Sequence, residues 1–383
     1  MSAKARKSGK SEPAPGRRRL LKGLALVIAA LLAIPAFAAF YMRHVPFTIP
    51  ESADGSGKAT GTGLEGGGLK VRYLGVTGYE ITDGRTVIIT DPMLTRPTIL
   101  DLQRGPLVPD TALSKRVVPR ADFILINHAH YDHSIDMPEI ARRTGAIVVG
   151  SQSACNLAIS RGHPPERVKV VKGGDRLTLG TFTVHVGETR HSAIGPIKEP
   201  MKGTIPADAG PLWWFQYVQD DTLCFRLEAG GTSLWFHPAS TFREGELGGR
   251  TAQNLIIGIN GEPMTMEVGR MALEQCRPRL VIPTHFDNFF QPRSKGLALF
   301  PGLGLEEAHR ALTQGEPRPA FRLLDYDEVI HLAPDRPSMD RDAAVRSRRP
   351  MWWFHFIQTT RVHLTMPWVV SFSILMLRAG PID

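Results

Sequence analysis

Cysteine is scarce in this chain: Cys155, Cys224 and Cys276 are the only three in 383 residues, widely spaced and without a C-x-x-C pair. That argues against a zinc site built from cysteine pairs and against a disulfide framework. Cys155 and Cys276 fall in stretches of helical pattern and are expected in the core. No short-period repeat is present, which leaves out solenoids and propellers. Excess positive charge is also missing from most of the chain. The formal net charge is +9, but residues 1–22 hold eight Lys/Arg against Glu12 alone and supply seven of those nine charges. With the remainder near neutral and no stripe of basic and aromatic residues, nucleic acid is not the expected partner.

The basic tail, residues 1–22, instead precedes the longest apolar run, 23–42 ("GLALVIAALLAIPAFAAFYM"), which is uncharged for 20 residues. A bilayer crossing needs about 20. Flanking basic residues stay in the cytoplasm, so everything after Arg43 is expected outside it. Two readings stand side by side. As an uncleaved anchor, the run holds the protein in the inner (cytoplasmic) membrane. As a signal peptide, it is cut near Ala36 and Ala38 and releases an exported soluble protein. Arg17 and Arg18 in "GRRRLLKG" resemble a twin-arginine export signal, which serves proteins that fold before crossing. Residues 43–68 follow as a flexible linker. Within it, 51–68 hold seven glycines and Leu64 as the one large apolar group, spanning roughly 20–25 Å as a coil.

Patterned sequence occupies 69–335. Apolar residues alternate on both sides of Asp83-Gly84, a hairpin signal, and again around Gly230-Gly231 in "TLCFRLEAGGTSLWFHPAS". "MPEIARRTG", "SQSACNLAISRG" and "TMEVGRMALEQCRPR" have helical spacing, while "ADFILI", "AIVVGS", "QNLIIGING" and "LVIPT" read as buried strands. The two hairpins open two similar halves, and strands in clusters with helices between them suggest two sheets sandwiched by helices. The tail, 336–383, carries an uncharged stretch at 364–377 broken by Pro367, with Trp352, Trp353 and Trp368 nearby. It either lies in a membrane interface or packs on the domain as a helix.

The chemistry concentrates in "NHAHYDHSID", where His128, His130, Asp132 and His133 follow a strand directly. Residues two apart on extended chain project to the same side, so His128 and His130 can hold one ion while Asp132 and His133 turn toward another. Imidazole and carboxylate donors suit zinc, one or two ions, with iron or manganese as alternatives. His191 in "VGETRHSAIG" and His285 in "LVIPTHFDNFF" also stand just past strands, where sites are built. Asp91 in "VIITDP" is expected to orient a ligating group.

The H-x-H-x-D-H motif, the preceding D-P strand, the later strand-end histidines and the two-hairpin layout resemble the metallo-β-lactamase-fold hydrolases. More narrowly, the chain resembles the branch of ascorbate-6-phosphate lactonase and N-acylphosphatidylethanolamine-specific phospholipase D. The resemblance covers about residues 69–335 and implies an α+β four-layer αββα sandwich. It implies one metal held by His128, His130 and His191, and a second held by Asp132, His133 and His285. Asp132 would also be the catalytic carboxylate, acting on water that attacks an ester, lactone, amide or phosphodiester. One departure concerns the carboxylate that usually bridges both ions: "LWFHPASTF" has Ala239 there. His237 and Asp287 are candidates to compensate, against simpler roles as a strand neighbour and a loop cap. Membrane tethering and the aromatic run Trp213, Trp214 and Phe215 point to a small-molecule or lipid-like substrate by analogy with the phospholipase branch. The alternative is a membrane-anchored, non-catalytic metal-binding or scaffold protein that keeps the fold.

Overall fold

Alternation sets the first strands. In β1 (Leu69–Gly75), Leu69, Val71 and Tyr73 are buried while Lys70 and Arg72 are half-buried, the period of two that a sheet face requires. β1 pairs antiparallel with β2 (Gly78–Thr82), and β2 with β3 (Val87–Thr90). At the β2–β3 turn, Gly84 takes φ 92°, and the Asp83 carboxylate accepts from the Arg85 and Thr86 amides. The structure, a computed structural model, describes residues 67–335 apart from 194–196, 247 and 317, together with 22–24, Ala33, Phe37 and Phe40. The expected membrane or signal run, the linker up to residue 66 and the tail 336–383 therefore lie outside the described residues, save those few helical positions. Among the described residues, no helix is long and apolar enough to cross a membrane.

After β3 the sequence changes from alternating to continuous apolar runs, and the sheet changes from antiparallel to parallel. β4 (Phe123–Leu125), β5 (Ile147–Gly150) and β6 (Val168–Val170) continue it in parallel. The crossovers contain α1 (Thr111–Val117), α2 (Tyr131–Ser134) with α3 (Met137–Thr144), and α4 (Gln152–Ser160). Strands covered on both faces need apolar residues at successive positions, which explains "FILI" and "IVVG". Ser151 caps α4 by accepting from the Ala154 amide, and α3 ends on Gly145 at φ 71°.

The second sheet repeats the plan. β7 (Arg176–Leu179), β8 (Phe182–Thr189), β9 (Thr222–Ala229) and β10 (Thr232–His237) are antiparallel, and Gly230 and Gly231 (φ 58° and 78°) form the β9–β10 turn. β11 (Asn254–Gly258), β12 (Leu280–Thr284) and β13 (Ala320–Phe321) then add in parallel, with α5 (Met266–Cys276) and α6 (Leu305–Leu312) in the connections. The last strand, β14 (Val329–Leu332), returns to pair with β1, giving two seven-stranded mixed sheets.

Tyr79 of the first sheet meets Phe236 of the second edge-on, ring centroids 6.3 Å apart, in the core between the sheets. Outside the first sheet, Ile89, Ile124 and Val148 share a second cluster with Val117, Ile140 and Leu157 of its helices. Outside the second, Ala272, Cys276, Leu305 and Leu312 pack with the main core. The result is the expected αββα sandwich. All three cysteines are buried and free.

Candidate metal centre

β4 ends at Leu125, and irregular chain with bends at Asn127 and His130 (ψ 151°) leads into one turn of helix, α2, which carries Asp132 and His133. The sequence pattern suggested an extended loop; the helical turn starts at Tyr131. It turns Asp132 and His133 toward His285, with the His133 ring still against His128. Ser134 fixes the turn by donating to the carbonyls of Ala129 and His130, both at 2.9 Å. Asp136, last in the motif, locks the neighbouring loop: its carboxylate accepts from the Leu94 amide (2.7 Å), the Thr95 amide (2.8 Å) and the Thr95 hydroxyl (2.6 Å). Burial pushes this carboxyl up to about 6.

His191, just past β8, and His285, just past β12, come to the same place. One nitrogen each of His128, His130 and His191 lies within 4.8 Å of the others, and the same holds for the ligand atoms of Asp132, His133 and His285. The His128 and His133 rings, centroids 4.0 Å apart, join the two triads. In the second, Asp132 Oδ2 is 3.2 Å from His285 Nε2 and 3.8 Å from His133 Nε2.

Neighbouring groups settle which nitrogens are free. His128 Nδ1 donates to Asn127 Oδ1 at 2.5 Å, and His191 Nδ1 to the Ser192 carbonyl at 2.6 Å, leaving each Nε2 with a lone pair. His133 Nδ1 donates to Asp91 Oδ2 at 2.8 Å, with the Thr77 hydroxyl 3.0 Å away, so its Nε2 is the free nitrogen. Asp91 Oδ1 accepts from the Asn127 amide at 2.7 Å, tying both halves of the motif to one carboxylate. Asn127, Thr77 and Asn260 (3.4 Å from His285 Nδ1) were not singled out in the sequence. Asn127 sits inside the motif and was open to view; Thr77 and Asn260 have no sequence signal.

The donors fit a cation. His130 Nδ1 is 3.0 Å from His128 Nε2, while His130 Nε2 is buried with no hydrogen-bond partner. Nδ1 is therefore the atom that His130 turns toward its triad, beside the lone pair of His128 Nε2, and a cation can take both. Burial and the neighbouring imidazoles hold His128 well below the usual histidine range. Burial, with His191 beside it, brings His130 down to about 3, and burial brings His191 down to about 4. All three are neutral at pH 7, as ligands must be. Burial works against ionisation of Asp132, but His133 and His285 outweigh it and keep the group a carboxylate. His133 goes up despite its burial, because Asp132 and Asp91 face it.

The two compensating candidates turn elsewhere. Asp287 accepts from the Val76 amide (2.8 Å), the Tyr73 hydroxyl (3.0 Å), Arg96 Nη2 (3.0 Å) and the Tyr326 hydroxyl (2.7 Å). Four donors saturate it, so it caps the β1–β2 turn. His237 faces Glu246 and Ala239, with Nε2 2.7 Å from Glu246 Oε2. At Ala239 no carboxylate replaces the bridge; Ser240 beside it bonds the Ser192 hydroxyl at 2.7 Å.

A model of the beta-lactamase superfamily domain matches residues 70–285. The chain belongs to that family. Relatives in the superfamily include a UPF0173 metal-dependent hydrolase of Thermus thermophilus, 26% identical over 244 residues, 60% of this chain and 89% of the relative. Another, from Oenococcus oeni, is 35% identical over 227 residues, 58% of this chain and 87% of the relative. Similar solved folds include the metallo hydrolase Igni18 of Ignicoccus hospitalis (18% identity, 70% of this chain, 99% of that one, TM-score 0.43). A second is the metallo-beta-lactamase fold protein YhfI of Bacillus subtilis (16% identity, 69% and 99%, TM-score 0.43). This superfamily member is a metal-dependent hydrolase with the metallo-β-lactamase fold.

Proposed function

We propose that this hydrolase cleaves an ester, lactone or phosphodiester in a lipid-like substrate, using one or two zinc ions at a membrane outside the cytoplasm. The observation that carries the hydrolytic reading is the pair of adjoining triads, with His130 Nδ1 3.0 Å from His128 Nε2 in one and the His128 and His133 rings 4.0 Å apart across the two. When bound, the cation supplies Lewis acidity and brings the deprotonation of water into the neutral range. The chain does the rest. His128, His130 and His191 offer neutral donors, and Asp132, His133 and His285 offer a mixed set. Asp132, ionised and 18% exposed at its side chain, is placed to accept a proton from water or to orient it.

Aromatic groups around the site support an amphipathic substrate. Phe289 lies edge-on to the His285 ring at 5.7 Å and packs with Phe290 and Phe300. Tyr131, next to His130 in the chain, meets Tyr217 at 6.5 Å, and Phe215, 48% exposed, stands beside Trp213 and Trp214 a few residues before Tyr217. The likeness to the lactonase and phospholipase branch, and the N-terminal apolar run, point the same way.

Elemental analysis of the purified chain, with hydrolysis of a lactone, a generic aryl ester and a bis-aryl phosphodiester before and after chelation, tests this. His130→Ala and Asp132→Ala should each lower turnover by orders of magnitude with the fold retained by circular dichroism. Turnover unchanged in either variant ends the assignment. A preference for short, soluble esters over acyl-chain substrates removes the lipid reading alone.

A further inference from the structure

A second donor set lies apart from the centre just described and shares no residue with it. In the β9–β10 hairpin, Phe236 stands opposite Phe225. One step along that register, His237 stands opposite Cys224. On the other side of β9, Cys224 faces Gly187, which has no side chain to intrude. Phe236 turns inward to Tyr79 of the first sheet, so His237 and Cys224 point to the outer face. Glu246, from the loop after β10, completes the group: ligand atoms of Cys224, His237 and Glu246 all lie within 4.8 Å of one another. Cys224 and His237 are fully buried, and the Glu246 side chain is 1% exposed.

Hydrogen bonding fixes the orientation of the ring in this group. The Ala239 carbonyl, 3.1 Å from His237 Nδ1, calls for the proton on that nitrogen. His237 Nε2 then presents a lone pair to Glu246 Oε2 at 2.7 Å. Either a second ring proton, giving an imidazolium–carboxylate pair, or a metal cation joins these two atoms. Glu246 Oε1 is already fixed by the Thr189 hydroxyl (2.8 Å) and the Arg243 amide (2.7 Å), which leaves Oε2 to face His237. Nδ1 bonded to a backbone carbonyl with Nε2 turned to other donors is the usual posture of a metal-ligating histidine.

We propose that Cys224, His237 and Glu246 form a further metal site, for a zinc-like divalent ion. Thiolate, imidazole and carboxylate together favour such an ion over magnesium or calcium. Uptake releases the Cys224 thiol proton, which burial and the Glu246 carboxylate otherwise hold in place. A cavity of about 240 Å³ lined by Trp235, Glu244, Gly245, Arg250 and Gln275 lies beside the loop that carries Glu246. The site is structural: it fastens the glycine-rich 243–250 loop to the outer face of the second sheet.

Cobalt loading of the full chain separates this site from the first, whose donors include no sulfur. Wild type should show a thiolate-to-cobalt charge-transfer band in the near ultraviolet. Cys224→Ser should lose the band and bind one ion fewer per chain, with ester hydrolysis within about twofold of wild type. Cys155→Ser and Cys276→Ser should keep the band. A wild-type chain loaded with cobalt but lacking the band, or a band that survives Cys224→Ser, overturns the proposal. A band with no hydrolysis of any ester or phosphodiester leaves this site standing and counts against the proposed catalysis alone.

Discussion

Backbone strain clusters around the donors. Val76, Asp91 and His285 all take positive φ, at 56°, 33° and 60°, a conformation that is costly for residues other than glycine and collects at functional sites. Each is over-determined by bonds. The Val76 carbonyl accepts from the His285 amide and the Thr284 hydroxyl, both at 2.7 Å, while its own amide donates to Asp287. Asp91, from the adjacent loop, sets the proton on His133. Asp91→Asn would present an amide N–H to His133 Nδ1 and favour the tautomer with the proton on Nε2, where a cation needs the lone pair. Affinity of the Asp132–His133–His285 triad should fall by about 10–100-fold, while the His128–His130–His191 triad holds its ion within a few-fold. Competition with a metal-sensing chelator reads both affinities. Equal affinities in the variant and wild type would sink the orienting role of Asp91.

Whole elements were more legible in the sequence than their partners. The hairpins at Asp83-Gly84 and Gly230-Gly231 and the helices from "MPEIARRTG", "SQSACNLAISRG" and "TMEVGRMALEQCRPR" all form, because turn chemistry and apolar period are local. The return of β14 to β1 had no local signal, since it joins Leu69 to Leu332. Neither did Glu246 on His237, nor Arg96 and Tyr326 on Asp287, each a polar pair made only by tertiary folding. Close packing of helices is equally hidden. Gly269 in the middle of α5 reads as a weak point, since alanine is the better helix former by about 1 kcal/mol. In the fold it lies against α6, where an added Cβ would come 2.3 Å from the Ala311 carbonyl oxygen. Gly269→Ala should therefore destabilise by about 1–3 kcal/mol, read as a lower urea midpoint. A rise in that midpoint would mean the two helices part easily.

At the scale of the whole molecule, the sandwich draws together the C-terminal ends of β3, β4, β8 and β12, so donors about 160 residues apart share one buried volume (roughly the separation of His128 from His285). Burial there has a consequence for folding. An unfolded histidine titrates near 6.5, whereas burial takes His130 down to about 3 and His191 down to about 4. Between those values the unfolded chain binds more protons than the folded one, so stability falls as pH falls. At about 1.4 kcal/mol per pH unit, each of these two groups withdraws roughly 3 kcal/mol by pH 4. His133 acts in the opposite sense, because its upward shift contributes stability on the acid side of 6.5, but it is one ring against His128, His130 and His191. The metal-free protein should thus lose urea resistance steadily from pH 6.5 toward 4, with a shallower slope in His191→Gln. Cations bind the neutral rings of the folded state, so the loaded protein should hold its midpoint further into acid and then fall sharply as protons displace the ions. A metal-free midpoint that stays level from pH 6.5 to 4 would show that these imidazoles are open to water, and the buried centre would fail with it.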